Sequence, residues 1–67
     1  MNIRLNGKQI EIHADAVSDV LAHVGVPVGH RGVAVAVNGS VVPRSTWTTA
    51  PVNPGDEVEV IGAAQGG

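Results

Sequence analysis

A chain of 67 residues is long enough for one small domain and leaves little room for a catalytic cleft. Its formal charge of -2, with four Lys and Arg residues, is far short of the basic stripe that phosphate binding needs, and no segment approaches the ~20 apolar residues of a membrane span. We therefore expect no nucleic-acid partner, no membrane insertion and a cytoplasmic location. The sequence has no cysteine, which excludes disulfides, a thiolate nucleophile and Cys-ligated zinc.

The apolar residues are mostly small. Thirteen Val and eight Ala stand against a single aromatic residue, Trp47. Valine, branched at Cβ, packs well on a pleated sheet, so the composition favours strands. We expect Trp47 to close one end of the core rather than to serve in recognition.

The first predicted elements are two short strands joined at Asn6-Gly7. Asn-Gly is the strongest local signal for a type I′ hairpin, because both turn residues need positive φ. A two-residue turn pairs Ile3 with Ile10, so the apolar side chains share one face. The opposite, solvent-facing side carries Arg4, Gln9 and Glu11.

A short amphipathic helix is predicted to begin near Asp15. Apolar residues recur at i, i+3, i+4 and i+7, as expected for one helix face. These residues are Val17, Val20, Leu21 and Val24. We expect Asp15 or Ser18 to cap the start and Gly25 to occupy the C′ position.

A second hairpin is predicted around Asn38-Gly39, after a loop that contains proline and glycine. Its first strand places Val33, Val35 and Val37 on one face. Pro43 ends the following strand, and a helical turn is expected directly after it. A β-turn at residues 53–56 then leads into a last strand, predicted from Glu57 to Ile61.

The order ββαββ, a connecting turn and a final β-strand places one helix between two hairpins. Such a helix must cover the apolar face of the sheet, which is an α+β arrangement. We predict a β-grasp (ubiquitin-like) roll: a mixed sheet of about five strands with one main helix packed across it. The domain is expected to span residues 1–61, followed by a flexible C-terminal tail at 62–67.

Catalysis by this chain alone is not expected. His13, His23 and His30 are separated by ten and seven positions, which matches no compact zinc spacing. The serines lack a Gly-x-Ser-x-Gly elbow. We therefore predict no catalytic residue, no metal site and no bound cofactor.

Three acidic residues lie close to the tail: Asp56, Glu57 and Glu59. They could dock a basic surface of a partner protein. A solvated strand that discourages edge pairing explains the same residues, so both interpretations stay open.

The last six residues, from Gly62, contain only Gly, Ala and Gln and cannot form a core. They can reach up to about 20 Å when extended, so the terminal carboxylate could enter the active site of another protein while the globule stays outside. Glycine lets the backbone pass a narrow channel, at a larger entropic cost when the tail is ordered. The candidate site is thus the tail formed by Gln65, Gly66 and Gly67.

The chain resembles the ThiS family, the small sulfur carriers of thiamine biosynthesis, over nearly its whole length. The elements that carry the resemblance are Val35-Ala36-Val37-Asn38-Gly39, Val42-Pro43-Arg44, Trp47, Gly55-Asp56 and the terminal Gly66-Gly67. It departs from the family near Gly62, where a bulkier residue is usual, and in a helix that is less rich in leucine.

The resemblance implies that an E1-like adenylyltransferase of the ThiF type uses ATP and Mg²⁺ to adenylate Gly67. A persulfide from a cysteine desulfurase system then displaces AMP to leave a C-terminal thiocarboxylate. Thiazole synthase (ThiG type) accepts the sulfur. The chain is then a protein co-substrate rather than an enzyme, and a monomer when free.

Three alternatives remain. A related carrier could serve molybdopterin or cysteine synthesis, and a ubiquitin-like modifier would use the same adenylate to form isopeptide bonds. A β-grasp binding module would not use its carboxylate at all.

Overall fold

The computed structural model describes residues 1–26 and 31–62, which form five strands, one α-helix and one 3₁₀ turn. The strands are β1 (Asn2–Leu5), β2 (Lys8–Glu11), β3 (Val33–Val37), β4 (Ser40–Val42) and β5 (Glu57–Gly62). The α-helix, α1, is Val17–His23, and the 3₁₀ turn is Arg44–Thr46. No helix within these ranges is long and apolar enough to cross a membrane.

The five strands form one mixed sheet in the order β2-β1-β5-β3-β4. β1 and β5 are parallel, whereas the other neighbouring pairs are antiparallel. The strand that comes last in sequence is therefore the central strand of the sheet. This sheet with one main helix confirms the predicted α+β, β-grasp architecture.

Both Asn-Gly hairpins have the predicted type I′ turn. Asn6 and Gly7 have φ values of 51° and 82°, and Asn38 and Gly39 have 52° and 84°. The register of the first hairpin pairs Ile3 with Ile10, as predicted. Local turn chemistry therefore determines the register of both hairpins.

The start of α1 differs from the prediction. The N-cap is Ala16, which has no side-chain acceptor, so the expected cap by Asp15 or Ser18 is wrong. The first amides of the helix donate instead to the backbone of the segment before β5: Val17 to the Ala50 carbonyl (3.0 Å) and Ser18 to the Trp47 carbonyl (2.9 Å). Because tertiary contacts satisfy these donors, no side-chain cap is needed.

The end of α1 follows the prediction at Gly25 but not at Val24. Gly25 has a φ of 84° and donates to the Ala22 carbonyl, and Val26 donates to the Leu21 carbonyl (2.8 Å), which together make a Schellman motif. The helix ends at His23, so Val24 leaves the apolar stripe and is 41% exposed. Its predicted place on the buried face is wrong.

The core lies between α1 and one face of the sheet. Its buried residues are Ile3, Leu5, Ile12, Val17, Val20, Leu21, Val35, Trp47, Val52 and Val58. Trp47 is 1% exposed, and its Nε1 donates to the Val42 carbonyl (3.0 Å). The prediction that Trp47 closes the core is thus confirmed, and its one polar atom is satisfied.

Candidate partner-binding face and C-terminal strand

β5 is held on both sides and leads directly towards the C-terminal residues. It pairs with β3 over five positions, from Val37↔Val58 to Val33↔Gly62, and with β1 at Leu5↔Val58. The strand is one residue longer than predicted, because Gly62 still pairs with β3. The predicted tail residues Gln65, Gly66 and Gly67 lie outside the described residues.

Each hairpin turn contributes one asparagine side chain to β5. Asn38 lies beside the beginning of the strand, where its Oδ1 accepts from the Glu57 N–H (2.9 Å). Asn6 lies beside the later part, where its Oδ1 accepts from the Val60 N–H (2.8 Å). These two contacts hold the beginning and the later part of the central strand.

Asp56 has a structural environment that the sequence analysis did not foresee. Its Oδ1 accepts from Asn38 Nδ2 (3.0 Å), and its Oδ2 accepts from the Asn53 N–H (2.8 Å). Both carboxylate oxygens therefore hold the turn before β5, in which the Asp56 N–H donates to the Asn53 carbonyl and Gly55 has a φ of 86°. This turn is of type II, with glycine at the position that requires positive φ.

The face of the sheet opposite α1, which we call the open face, carries the other two acidic residues. Glu57 and Glu59 alternate outward along β5 and are exposed. Among the described residues, neither carboxylate has an ion-pair or hydrogen-bond partner. Arg4, whose strand neighbour is Glu57, directs its Nη2 to the Gly7 carbonyl (3.2 Å).

The open face also has an apolar half that the sequence analysis missed. Ile61 is 63% exposed and Val41 is 76% exposed. The register joins them through β3: Ala34 lies opposite Ile61, and Ala36 lies between Glu59 and Val41. The period-2 alternation of β5, which places Ile61 with Glu57 and Glu59, was the signal that could have found this half.

The histidines show no metal-binding arrangement within the described ranges. His13 and His23 are exposed, and His30 lies outside these ranges. No group of three His, Asp or Glu residues among the described positions could hold a metal ion.

The fold and this site define a class of protein: a single-helix β-grasp domain whose C-terminal residues continue directly from the central strand. The model of the ThiS family matches residues 3–67, and the chain belongs to that family. The family comprises small sulfur carrier proteins of thiamine biosynthesis.

Two solved structures from Geobacter metallireducens are similar to the chain. The crystal structure of its thiamine biosynthesis protein ThiS has 31% identity and a TM-score of 0.79, with 100% of both chains covered. The NMR structure of a thiamine biosynthesis protein from the same organism has 30% identity and a TM-score of 0.79, covering 100% of this chain and 88% of that one. No curated protein sequence matches the chain significantly.

Proposed function

We propose that the chain carries sulfur on its C-terminal glycine, Gly67, and donates it for synthesis of the thiazole moiety of thiamine. A ThiF-type enzyme binds the domain and joins the Gly67 carboxylate to AMP, with release of pyrophosphate from ATP–Mg²⁺. The carrier itself supplies the acyl group and no catalytic side chain. The match to the ThiS family, which extends to residue 67, is the observation that carries this proposal.

Activation is required because a carboxylate is a poor acylating agent. The mixed anhydride with AMP has a good leaving group, so the terminal sulfur of a protein persulfide attacks the acyl carbon and AMP departs. A thiol of the cysteine desulfurase system then attacks the cysteine sulfur of this acyl disulfide, forms a new disulfide with it, and releases the thiocarboxylate. This –COS⁻ group is a soft nucleophile at neutral pH, suited to sulfur transfer on a ThiG-type thiazole synthase.

The fold suits this use of the carboxylate. β5 is the central strand, flanked by β1 and β3, and both turn asparagines bind it. A central strand has little freedom to shift in register, because a slip would break pairing on both sides. A partner that binds the globule therefore receives the C-terminal residues from a defined starting point.

We propose that the open face docks the activating enzyme. An exposed apolar region beside exposed charges, such as the apolar half of the open face beside its acidic residues, is the usual composition of a transient interface. Ile61 and Val41 provide apolar contact next to the strand that leads to Gly67, while Glu57 and Glu59 offer unpaired charge to a basic surface. Asp56 is the least suited of the three predicted docking residues, because the turn already uses both of its oxygens.

The position of the carboxylate tests the proposal. One extra residue after Gly67 displaces the carboxylate by about 3.5 Å, outside attack distance of the α-phosphate of ATP, and deletion of Gly67 withdraws it similarly. A Gly66→Val variant restricts the backbone in the enzyme channel. All three chains should unfold like the wild type but lose ATP–pyrophosphate exchange with a ThiF-type enzyme.

Full exchange with the extended or shortened chain would refute a role for Gly67. With the persulfide system present, the intact mass of the wild type should show one terminal oxygen replaced by sulfur. Isopeptide conjugates in cell extract would instead indicate a protein modifier, and sulfur transfer to molybdopterin or cysteine synthesis would indicate a related carrier.

The acidic part of the open face can be tested with a matched pair of charge reversals. Glu59→Lys and Asp15→Lys change the net charge equally, but Asp15 is an exposed residue next to α1 rather than on the open face. Glu59→Lys should slow association with the enzyme most at low salt, and Asp15→Lys should change it far less. Equal association rates for the two variants would favour a merely solvated strand.

A further inference from the structure

β5 extends past the end of the strand that it pairs with on one side. β1 ends at Leu5, where the chain turns away into the first hairpin. Asn6 continues the pairing beyond that point: its main-chain N–H donates to the Val58 carbonyl (2.9 Å), and its side-chain Oδ1 accepts from the Val60 N–H (2.8 Å). One side chain thus replaces the carbonyl that another strand residue would offer.

We propose that Asn6 is a positioning residue for the C-terminal segment, which fixes Val60 and thereby sets the place from which residues 63–67 start. This inference rests on the function proposed above, since it concerns how Gly67 is presented to the enzyme. Among the described residues, the Asn6 side chain binds β5 at the Val60 N–H. It acts through β5 alone.

Removal of the Asn6 side chain leaves the Val60 N–H to water on the β1 side. The later part of β5 is then bound to the sheet through β3 alone, so local opening at that end becomes easier. A carrier with a displaced strand end cannot place its carboxylate in the enzyme site. The apparent affinity for the enzyme is therefore the intrinsic affinity multiplied by the fraction of carriers whose strand end is correctly placed. The expected kinetic signature is a higher KM with an unchanged kcat.

The second hairpin provides a matched control. Asn38 has the same backbone conformation and also accepts from an amide of β5, but from Glu57 at the beginning of the strand. Its Nδ2 also donates to Asp56 Oδ1, so its removal costs one hydrogen bond more than removal of the Asn6 side chain. Glycine preserves the positive φ of either turn, so Asn6→Gly and Asn38→Gly each delete one side chain without straining the backbone. Asn6→Asp retains both the Oδ acceptor and tolerance of this conformation.

The experiment measures adenylation by a ThiF-type enzyme as a function of carrier concentration. Asn6→Gly should raise KM about three- to tenfold, the effect of one net hydrogen bond, with kcat unchanged. Asn6→Asp should restore KM, and Asn38→Gly should leave it close to wild type. Equal KM values for the two glycine variants, or no rescue by aspartate, would overturn the proposal.

Amide hydrogen exchange tests the same inference without the enzyme. Asn6→Gly should abolish protection of the Val60 amide while that of Glu57 is retained, and Asn38→Gly should do the reverse. Unchanged protection at Val60 would overturn the positioning role even if the wild type is adenylated. Conversely, a wild-type chain that is never adenylated refutes the proposed function, and the Val60 measurement still decides whether Asn6 fixes the strand.

Discussion

The first hairpin, β1 with β2, and the second, β3 with β4, are built around the same turn. The asparagines differ in φ by one degree (51° and 52°) and the glycines by two (82° and 84°). In both hairpins the turn asparagine accepts from an amide of the central strand. The local chemistry of Asn-Gly has thus produced the same conformation twice.

Their surroundings differ. The strand before the first turn buries two large residues, Ile3 and Leu5. In the strand before the second turn, only Val35 is buried. The first hairpin meets β5 in parallel over two positions and the second antiparallel over five. The first hairpin therefore depends more on burial and the second more on backbone pairing, although the turns are alike.

The largest expected effect comes from Leu21→Ala in α1, which packs in the core shared by both hairpins. Leu21 is fully buried, so truncation removes apolar contacts and leaves a cavity, at a cost of ~2–4 kcal/mol in the free energy of unfolding. Urea midpoints measure this. Both hairpins should lose amide protection together, because they lose the same cover.

Val41→Ala is the control for that experiment, since Val41 is 76% exposed on the open face. Its effect should stay within about 0.5 kcal/mol. A loss below ~1 kcal/mol for Leu21→Ala would contradict a core shared by the two hairpins.

A smaller effect is expected at the turn glycines. Gly7 and Gly39 have φ of 82° and 84°, and a Cβ added to either meets nothing within 4 Å. The cost of Gly→Ala is then the left-handed conformation alone, roughly 1–2 kcal/mol, and should be the same in both turns. Denaturant midpoints that differ by more than about 1 kcal/mol between Gly7→Ala and Gly39→Ala would show that the hairpins are not equivalent even at the turn.

Local patterns predicted the elements well because their causes are local. Asn-Gly requires positive φ, and a two-residue turn then determines which residues pair. Gly25 likewise ends α1 through its own backbone freedom. The β-grasp architecture followed from the order of these elements, since a single helix between two hairpins has one apolar sheet face to cover.

Most of the predictions that failed, and most of the features that were missed, depend on residues distant in sequence; Val24 is an exception, because the local end of α1 at His23 takes it off the buried face. The cap of α1 could not be predicted because carbonyls of Trp47 and Ala50 replace it. The use of Asp56 in its turn required the position of Asn38, and the bond from Val60 to Asn6 spans 54 residues. The exposure of Ile61 on the open face could have been predicted from the alternation of β5 alone. That Ile61 and Val41 lie on the same face of the two strands that flank β3 could be known only from the sheet order.

The smallest expected effect concerns Asp19, and it should leave both hairpins unchanged. The Asp19 Oδ2 accepts from the backbone N–H groups of Asp15 (2.9 Å) and Ala16 (3.0 Å) at the start of α1. These hydrogen bonds lower the pKa of the Asp19 carboxyl below its ordinary value of 3.8, and desolvation opposes them only weakly. The bonds favour the charged form, because a carboxylate is the stronger acceptor.

Asp19→Asn removes the negative charge of the side chain but keeps its shape, since the amide oxygen can accept the same two hydrogen bonds. A group whose pKa is lower in the folded state contributes stability above its unfolded pKa and loses it as the pH falls through the folded value. The wild type should therefore be more stable than Asp19→Asn at neutral pH, and the difference should vanish below the folded pKa, when the wild-type carboxyl is also neutral. Urea unfolding as a function of pH measures this difference in stability.

The control is Asp15→Asn, because the Asp15 side chain caps neither the helix nor a turn among the described residues. A stability difference that does not change with pH would mean that shape rather than charge matters at the start of α1. A change in hairpin amide protection would mean that the start of α1 and the two hairpins are coupled.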